Sequence, residues 1–150
     1  MVYLDTSALA KWYLPEEDSE AVEAFLRETP RRVCISDLTR LEMRSLLGRR
    51  QREGAITADE RTAIFATFAE DVARGSLHLL PADAAAFDRA IRLIDQLVDV
   101  PLRTLDAWHL ALAMGANTEV IATADVTMAR AARALGQEPV LFGLAAKEPR

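Results

Sequence analysis

Four acidic residues, Asp5, Glu42, Asp106 and Asp125, are spread over nearly the whole length of a 150-residue chain. Each falls where the local pattern predicts a strand end or an inward helix face. Brought to one cleft, they would offer hard oxygen ligands with none of the Cys or His spacing typical of zinc, which points to Mg²⁺ or Mn²⁺. Like charges about 4 Å apart repel by roughly 4 kcal/mol at an effective dielectric near 20, so a cluster of this kind calls for cations. One or two divalent ions held there would orient and deprotonate a water, and would stabilise charge on the attacking and leaving oxygens of a phosphodiester.

Each acid also has a plainer reading. Asp5 directly follows Val2-Tyr3-Leu4 and precedes Thr6 and Ser7, so it ends a strand, but it is equally a favoured helix N-cap. Asp125 repeats that arrangement after the run Val120 to Thr123. Glu42 lies between Leu38 and Leu46, in the middle of an apolar stripe, where an ionised carboxylate is expensive unless paired. Arg40 and Arg44 point elsewhere around that helix, so the alternative to a metal is a distant arginine. Asp106 sits in the first turn of an almost wholly apolar helix, where the dipole favours its ionised form. His109, one turn further on, reads as satisfied by a neighbouring carboxylate or by backbone rather than as a general base. His78 has no partner that the sequence identifies. Trp12, Tyr13 and Trp108 read as core or dimer contacts.

The elements that must position these residues alternate along the chain. Candidate buried strands are Val2-Tyr3-Leu4, Val33-Cys34-Ile35, Leu77 to Leu80, Val120 to Ala122 and Val140 to Phe142. Helices are predicted over 6–14, 17–29, 37–53, 57–74, 82–98, 104–116 and 125–136. Ser36 or Asp37, Thr57, Asp83 and Thr104 are placed as N-caps, and Gly54, Gly75, Pro101 and Gly136 as stops. Repeated β–α–β units imply a parallel sheet with right-handed crossovers and helices on both faces. In such sheets ligands bind outside the carboxyl ends of the strands, the edge against which the acids must be judged.

The length suits one domain spanning residues 1–150. Eighteen basic residues against 23 acidic ones give a net charge of −5, which argues against an unspecific nucleic-acid coat. Cys34, the single cysteine, lies in an apolar run and reads as a small buried hydrophobe in a reducing compartment. With no signal peptide and no apolar stretch long enough to span a bilayer, a cytoplasmic protein that does not enter membranes is expected.

The ordered motifs resemble the PIN-domain ribonucleases of the VapC toxin type. Val2-Tyr3-Leu4-Asp5-Thr6-Ser7-Ala8-Leu9 is similar to the family's first motif, and Glu42 in Leu41-Glu42-Met43 to its second acid. Leu105-Asp106-Ala107-Trp108-His109-Leu110-Ala111 resembles the third motif, and Ala122-Thr123-Ala124-Asp125 the fourth. The resemblance covers almost the whole chain. It implies a three-layer α/β/α sandwich around a central parallel sheet and a Mg²⁺-dependent endoribonuclease. It further implies a homodimer, and neutralisation by a cognate small antitoxin protein in a type II toxin–antitoxin pair. Asp5, Glu42, Asp106 and Asp125 would bind metal, with Thr6 and Thr123 in support. Many relatives carry another acid two positions after the fourth aspartate, where this chain has Thr127, so one metal or two stays open.

Eight of the 18 basic residues fall between Arg27 and Arg52, flanking Glu42. Arg40, Arg44 and Arg49 are candidates for RNA phosphates; the alternative is a solvated face paired with nearby glutamates. Competing functions are a DNA-directed or flap-type nuclease, and a catalytically weak domain that keeps only its partner surface. A dehalogenase-like or receiver-like phosphoacceptor is disfavoured. Asp5-Thr6-Ser7 lacks the former's second aspartate, and the only lysines, Lys11 and Lys147, do not fit the latter.

Overall fold

The computed structural model of the chain describes residues 1–143. Five short strands are present: β1 (Val2–Leu4), β2 (Val33–Ser36), β3 (His78–Leu80), β4 (Val120–Thr123) and β5 (Glu138–Leu141). They form one all-parallel sheet in the order β3-β2-β1-β4-β5. The helices among the described residues are α1 (Thr6–Tyr13), α2 (Ser19–Glu28), α3 (Asp37–Arg52), α4 (Ala58–Arg74), α5 (Ala86–Gln96), α6 (Thr104–Gly115) and α7 (Val126–Ala134).

The period-two alternation of the strands divides the core. Val2 and Leu4 of β1, Ile35 of β2, and Val120 and Ala122 of β4 pack with Leu9, Val22, Met43 and Phe68, so α1 to α4 cover one face. Tyr3, Cys34 and Ile121, the intervening residues, pack with Leu93, Leu110 and Met128, so α5 to α7 cover the other. This is the α/β/α sandwich expected. Both faces of β1 are fully buried, and each large apolar side chain so enclosed contributes about 1.5–3 kcal/mol relative to exposure. The strand order reverses between β1 and β4, so a crevice opens outside the carboxyl ends of those two strands.

Local signals account for most element boundaries. Ser36 and Thr57 cap α3 and α4 with full capping boxes. Gly75 closes α4 in the left-handed region at φ +78°, its N–H donating to the Val72 carbonyl. Two predicted caps are corrected. Helix α5 begins at Ala86 rather than 82, because the Asp83 carboxylate accepts from the Ala85 N–H and forms a separate turn ahead of it. Thr104 is the first helical residue of α6 and Arg103 takes the cap position, with no side-chain cap bond. Strand β5 starts at Glu138 and includes Pro139, which is tolerated because β5 lies at the sheet edge. The segments Ala8 to Leu14 and 107–116 are mostly core: Ala8, Leu9, Ala10, Leu14, Ala107, Leu110, Ala111 and Ala113 are all buried.

Candidate active site

At the reversal point the chain leaves β1 through Asp5 and β4 through Thr123, and both exits are built from side-chain hydrogen bonds. Asp5 is 5% exposed and N-caps α1, its Oδ1 accepting from the Ala8 N–H at 3.0 Å. Ser7 Oγ donates to Asp5 Oδ1 at 2.7 Å, and Thr123 Oγ1 donates to Oδ2 at 2.7 Å. Ser7 Oγ also accepts from the Ala124 N–H at 2.8 Å, tying the two strand ends together. Burial pushes the Asp5 carboxyl up; the His109 charge and these donors pull it down without cancelling the rise. Asp125 N-caps α7 through Oδ1, which accepts from the N–H groups of Thr127 at 2.7 Å and Met128 at 3.1 Å. Its Oδ2 faces Arg103. For Asp5 and Asp125 the capping role and membership of the acidic set therefore coincide.

Glu42 is half-buried, not central to the buried stripe of α3, which runs through Thr39, Met43 and Leu47. Its anchor is a histidine, not a distant arginine. Thr6 Oγ1 donates to Glu42 Oε2, and His109 Nε2 meets the same oxygen at 2.8 Å. His109 is 3% exposed, and its Nδ1 lies 2.7 Å from the Tyr3 hydroxyl, which donates to Ser36 Oγ at 2.9 Å. A buried polar chain thus runs from the N-cap of α3 back to the carboxylate on the same helix. Burial alone would raise the Glu42 carboxyl, but the His109 hydrogen bond and charge, with Thr6 and Arg103, hold it below the usual range. His109 is satisfied by a carboxylate, as its placement suggests, though by Glu42 rather than by neighbouring Asp106.

Asp106, 7% exposed in the first turn of α6, is gripped by Arg103: Nε to Oδ2 at 2.8 Å and Nη2 to Oδ1 at 3.3 Å. The same Nη2 reaches Asp125 Oδ2 at 2.8 Å. The Asp106 carboxylate raises the Arg103 guanidinium above its usual value. Sequence reasoning missed Arg103. The available signal was its position three residues ahead of Asp106, a spacing that brings side chains together across a first turn.

All four acids line one cavity of about 340 Å³, together with Thr6, Ser7, Arg49, Arg103 and His109. Among the described residues, no three His, Cys, Asp or Glu groups are drawn close enough to share one ion. Asp5, Glu42 and the Asp106–Asp125 pair are each held by their own donors, which keeps like charges apart. The donor set nonetheless suits a hard divalent cation, and a cationic group, the Arg103 guanidinium, already bridges two of the carboxylates. Thr127 is engaged through its backbone N–H on Asp125 and adds no carboxylate. A larger groove of about 720 Å³, between Tyr13, Glu16, Arg50 and Ile64, lies away from this acidic cluster.

Of the three arginines considered for RNA, only Arg49 lines the acidic cavity. Arg40 pairs with Asp37 at 2.8 Å on the outer surface, and Arg44 lies 3.3 Å over the ring of Phe65 on α4. Arg31 and Arg32 precede the amino end of β2, the opposite edge of the sheet. No helix among the described residues is long and apolar enough to cross a membrane.

Residues 2–134 match the PIN-domain family. Ribonuclease VapC46 of Mycobacterium tuberculosis is 37% identical over 138 residues, 90% of this chain and 92% of that protein. VapC20 of Mycobacterium tuberculosis, described as a sarcin–ricin loop cleaving toxin, superposes with a TM-score of 0.68 at 17% identity, covering 87% of this chain and 95% of its own. FitAcB of Neisseria gonorrhoeae gives 0.69 at 18% identity, with 95% and 97% covered. VapBC2 of Rickettsia felis, solved bound to a DNA fragment from its promoter, gives 0.68 at 14% identity, with 95% and 100% covered.

Proposed function

The chain belongs to the PIN-domain family, in its VapC-type group, and on that footing we propose that it is a metal-dependent endoribonuclease, the toxin of a type II toxin–antitoxin pair. The observation that carries this reading is the gathering of Asp5, Glu42, Asp106 and Asp125 around one cavity at the point where the strand order reverses. In it, these four carboxylates hold Mg²⁺ or Mn²⁺. Bound there, the ion supplies Lewis acidity, lowering the pKa of an attacking water and neutralising charge on the phosphodiester.

The chain's own residues prepare that chemistry. Ser7 and Thr123 fix the Asp5 carboxylate from two sides, and Thr6 and His109 fix Glu42 through one oxygen. Such supporting donors typically matter by about 10–100-fold in metal affinity or activity. Arg49 stands at the cavity to receive a backbone phosphate of RNA. The partners in this reading are a small antitoxin protein and a second copy of the chain. Phe87, Ile91, Ile94 and Leu105, exposed apolar side chains around a hollow beside Trp108, offer the surface for that copy. A single-chain mass in sedimentation would remove the dimer from the scheme.

The deciding experiment digests total cellular RNA and, side by side, single- and double-stranded DNA. It uses the purified chain with Mg²⁺, with chelator, and with Asp5→Asn. Discrete RNA cuts that need Mg²⁺ and vanish in the variant are expected. Cutting of DNA in preference to RNA moves the chain to the DNA-directed reading, and cleavage undiminished by chelator or by Asp5→Asn rejects the metal scheme.

A further inference from the structure

Arg103 closes the loop between α5 and α6, and its guanidinium is committed to two carboxylates from different elements. Nε and Nη2 fork onto Asp106 in the first turn of α6, and Nη2 also meets Asp125 at the start of α7. The side chain is 71% exposed while Asp106 is nearly enclosed, so water reaches the arginine from outside and its release costs little. Nothing else among the described hydrogen bonds and ion pairs involves this guanidinium. Its place, between two acids of the set that would otherwise repel each other, is the place of a cation.

We propose that Arg103 is a resident counter-ion of the acidic site, occupying the cation position between Asp106 and Asp125 in the metal-free chain and yielding it when a divalent ion binds. This rests on the metal-dependent reading of the same cavity. The two states exclude one another on geometry. A guanidinium holds its carboxylate oxygens at N···O separations of 2.8–3.3 Å across a planar fork. Mg²⁺ draws oxygens to about 2.0–2.1 Å in an octahedral shell. Asp106 and Asp125 can therefore close on a shared ion only after the fork has left them. The resident charge weakens the apparent affinity for the ion by the strength of the pairs that must break.

Calorimetric titration of Mn²⁺ into the wild-type chain and into Arg103→Gln, both stripped of metal, tests this. Loss of the competitor is expected to tighten Mn²⁺ binding by roughly three- to tenfold, the range of one or two exposed ion pairs. In chelator the variant should melt below wild type, and saturating Mn²⁺ should close that gap. Arg103→Lys, which keeps charge but not the fork, should bind Mn²⁺ with intermediate affinity, and it reads the same competition if the Gln variant is poorly folded. Equal or weaker Mn²⁺ binding in Arg103→Gln overturns the counter-ion role while leaving the metal reading intact. No Mn²⁺ binding by any of the three chains overturns both.

Discussion

Asp5 shows how one carboxylate serves the fold and the site under opposing pressures. It caps α1 and ties β1 to β4, yet burial raises its pKa, so its charged form is disfavoured in the place where it stands. The sign of the linkage follows. A carboxyl raised on folding favours the folded state below the unfolded value, about 3.9, and that contribution is lost as pH rises through the folded value. Asp5→Asn keeps a good N-cap and removes the ionisation. In chelator at pH 7 the variant should melt above wild type, by about 2–4 °C for each kcal/mol regained. The difference should shrink as pH falls toward 4 and reverse in excess Mg²⁺, which stabilises only the chain that binds it. Thermal scans across pH check this, and a variant that melts below wild type in chelator at neutral pH would refute it. Asp5, Asp106 and Asp125 are legible in the sequence because strand ends and helix first turns can be located from local pattern, whereas Glu42 is singled out by an apolar stripe that the fold runs instead through Thr39, Met43 and Leu47. Arg103 is legible only in part: its spacing of three from Asp106 is a local signal, but its second partner, Asp125, lies 22 residues away. The His109–Tyr3–Ser36 chain is hidden for the same reason, joining residues 106 and 33 apart.

The helices divide into those fixed by their own termini and those fixed by what they pack against. Helices α3 and α4 both carry capping boxes, at Ser36 and Thr57, but only the first is buried. Thr57→Ala should cost about 1 kcal/mol, the usual value of an exposed cap. Ser36→Ala should cost more, about 2–3 kcal/mol, because it also removes the acceptor of the buried Tyr3 hydroxyl and loosens the chain behind Glu42. Urea unfolding of the two variants measures the difference, and equal losses would mean that the Tyr3 contact contributes nothing. These caps are readable since a Ser or Thr before an apolar run has a local mechanism. The failures are equally physical. Asp83 has the right residue type, but it satisfies a turn N–H two residues on. Thr104 yields the cap position to Arg103, whose side chain turns away to the acids. Pro139 hides the start of β5, since proline argues against a strand until the strand is known to lie at an edge.

Across the molecule as a whole, charge decides how a chain of net −5 approaches a polyanion. The stretch from Arg27 to Arg52 looks basic when read in order, but folding disperses it. Arg27 pairs with Glu23, Arg40 with Asp37 and Arg50 with Glu16, while Arg44 covers Phe65, leaving Arg49 facing the acidic cavity. The local pairs Arg27–Glu23 and Arg40–Asp37 are of the kind a sequence reading allows for, whereas Glu16 lies 34 residues from Arg50 and Phe65 sits on another helix. The parallel sheet and its two helical layers, by contrast, follow from the alternation of strands and helices alone. Few phosphate contacts mean a shallow dependence on salt, since each one adds about 0.7 to the slope of log affinity against log salt for single strands. Anisotropy of a labelled RNA oligonucleotide in chelator, where no cutting interferes, reads that slope. Arg49→Ala should lower it by about 0.7, whereas Arg40→Ala and Arg44→Ala should leave it unchanged. A drop in slope for either of the latter two would place the RNA path along the outer face of α3, away from the four acids. Cleavage at the cavity would then need a bend in the strand that the charge distribution does not guide.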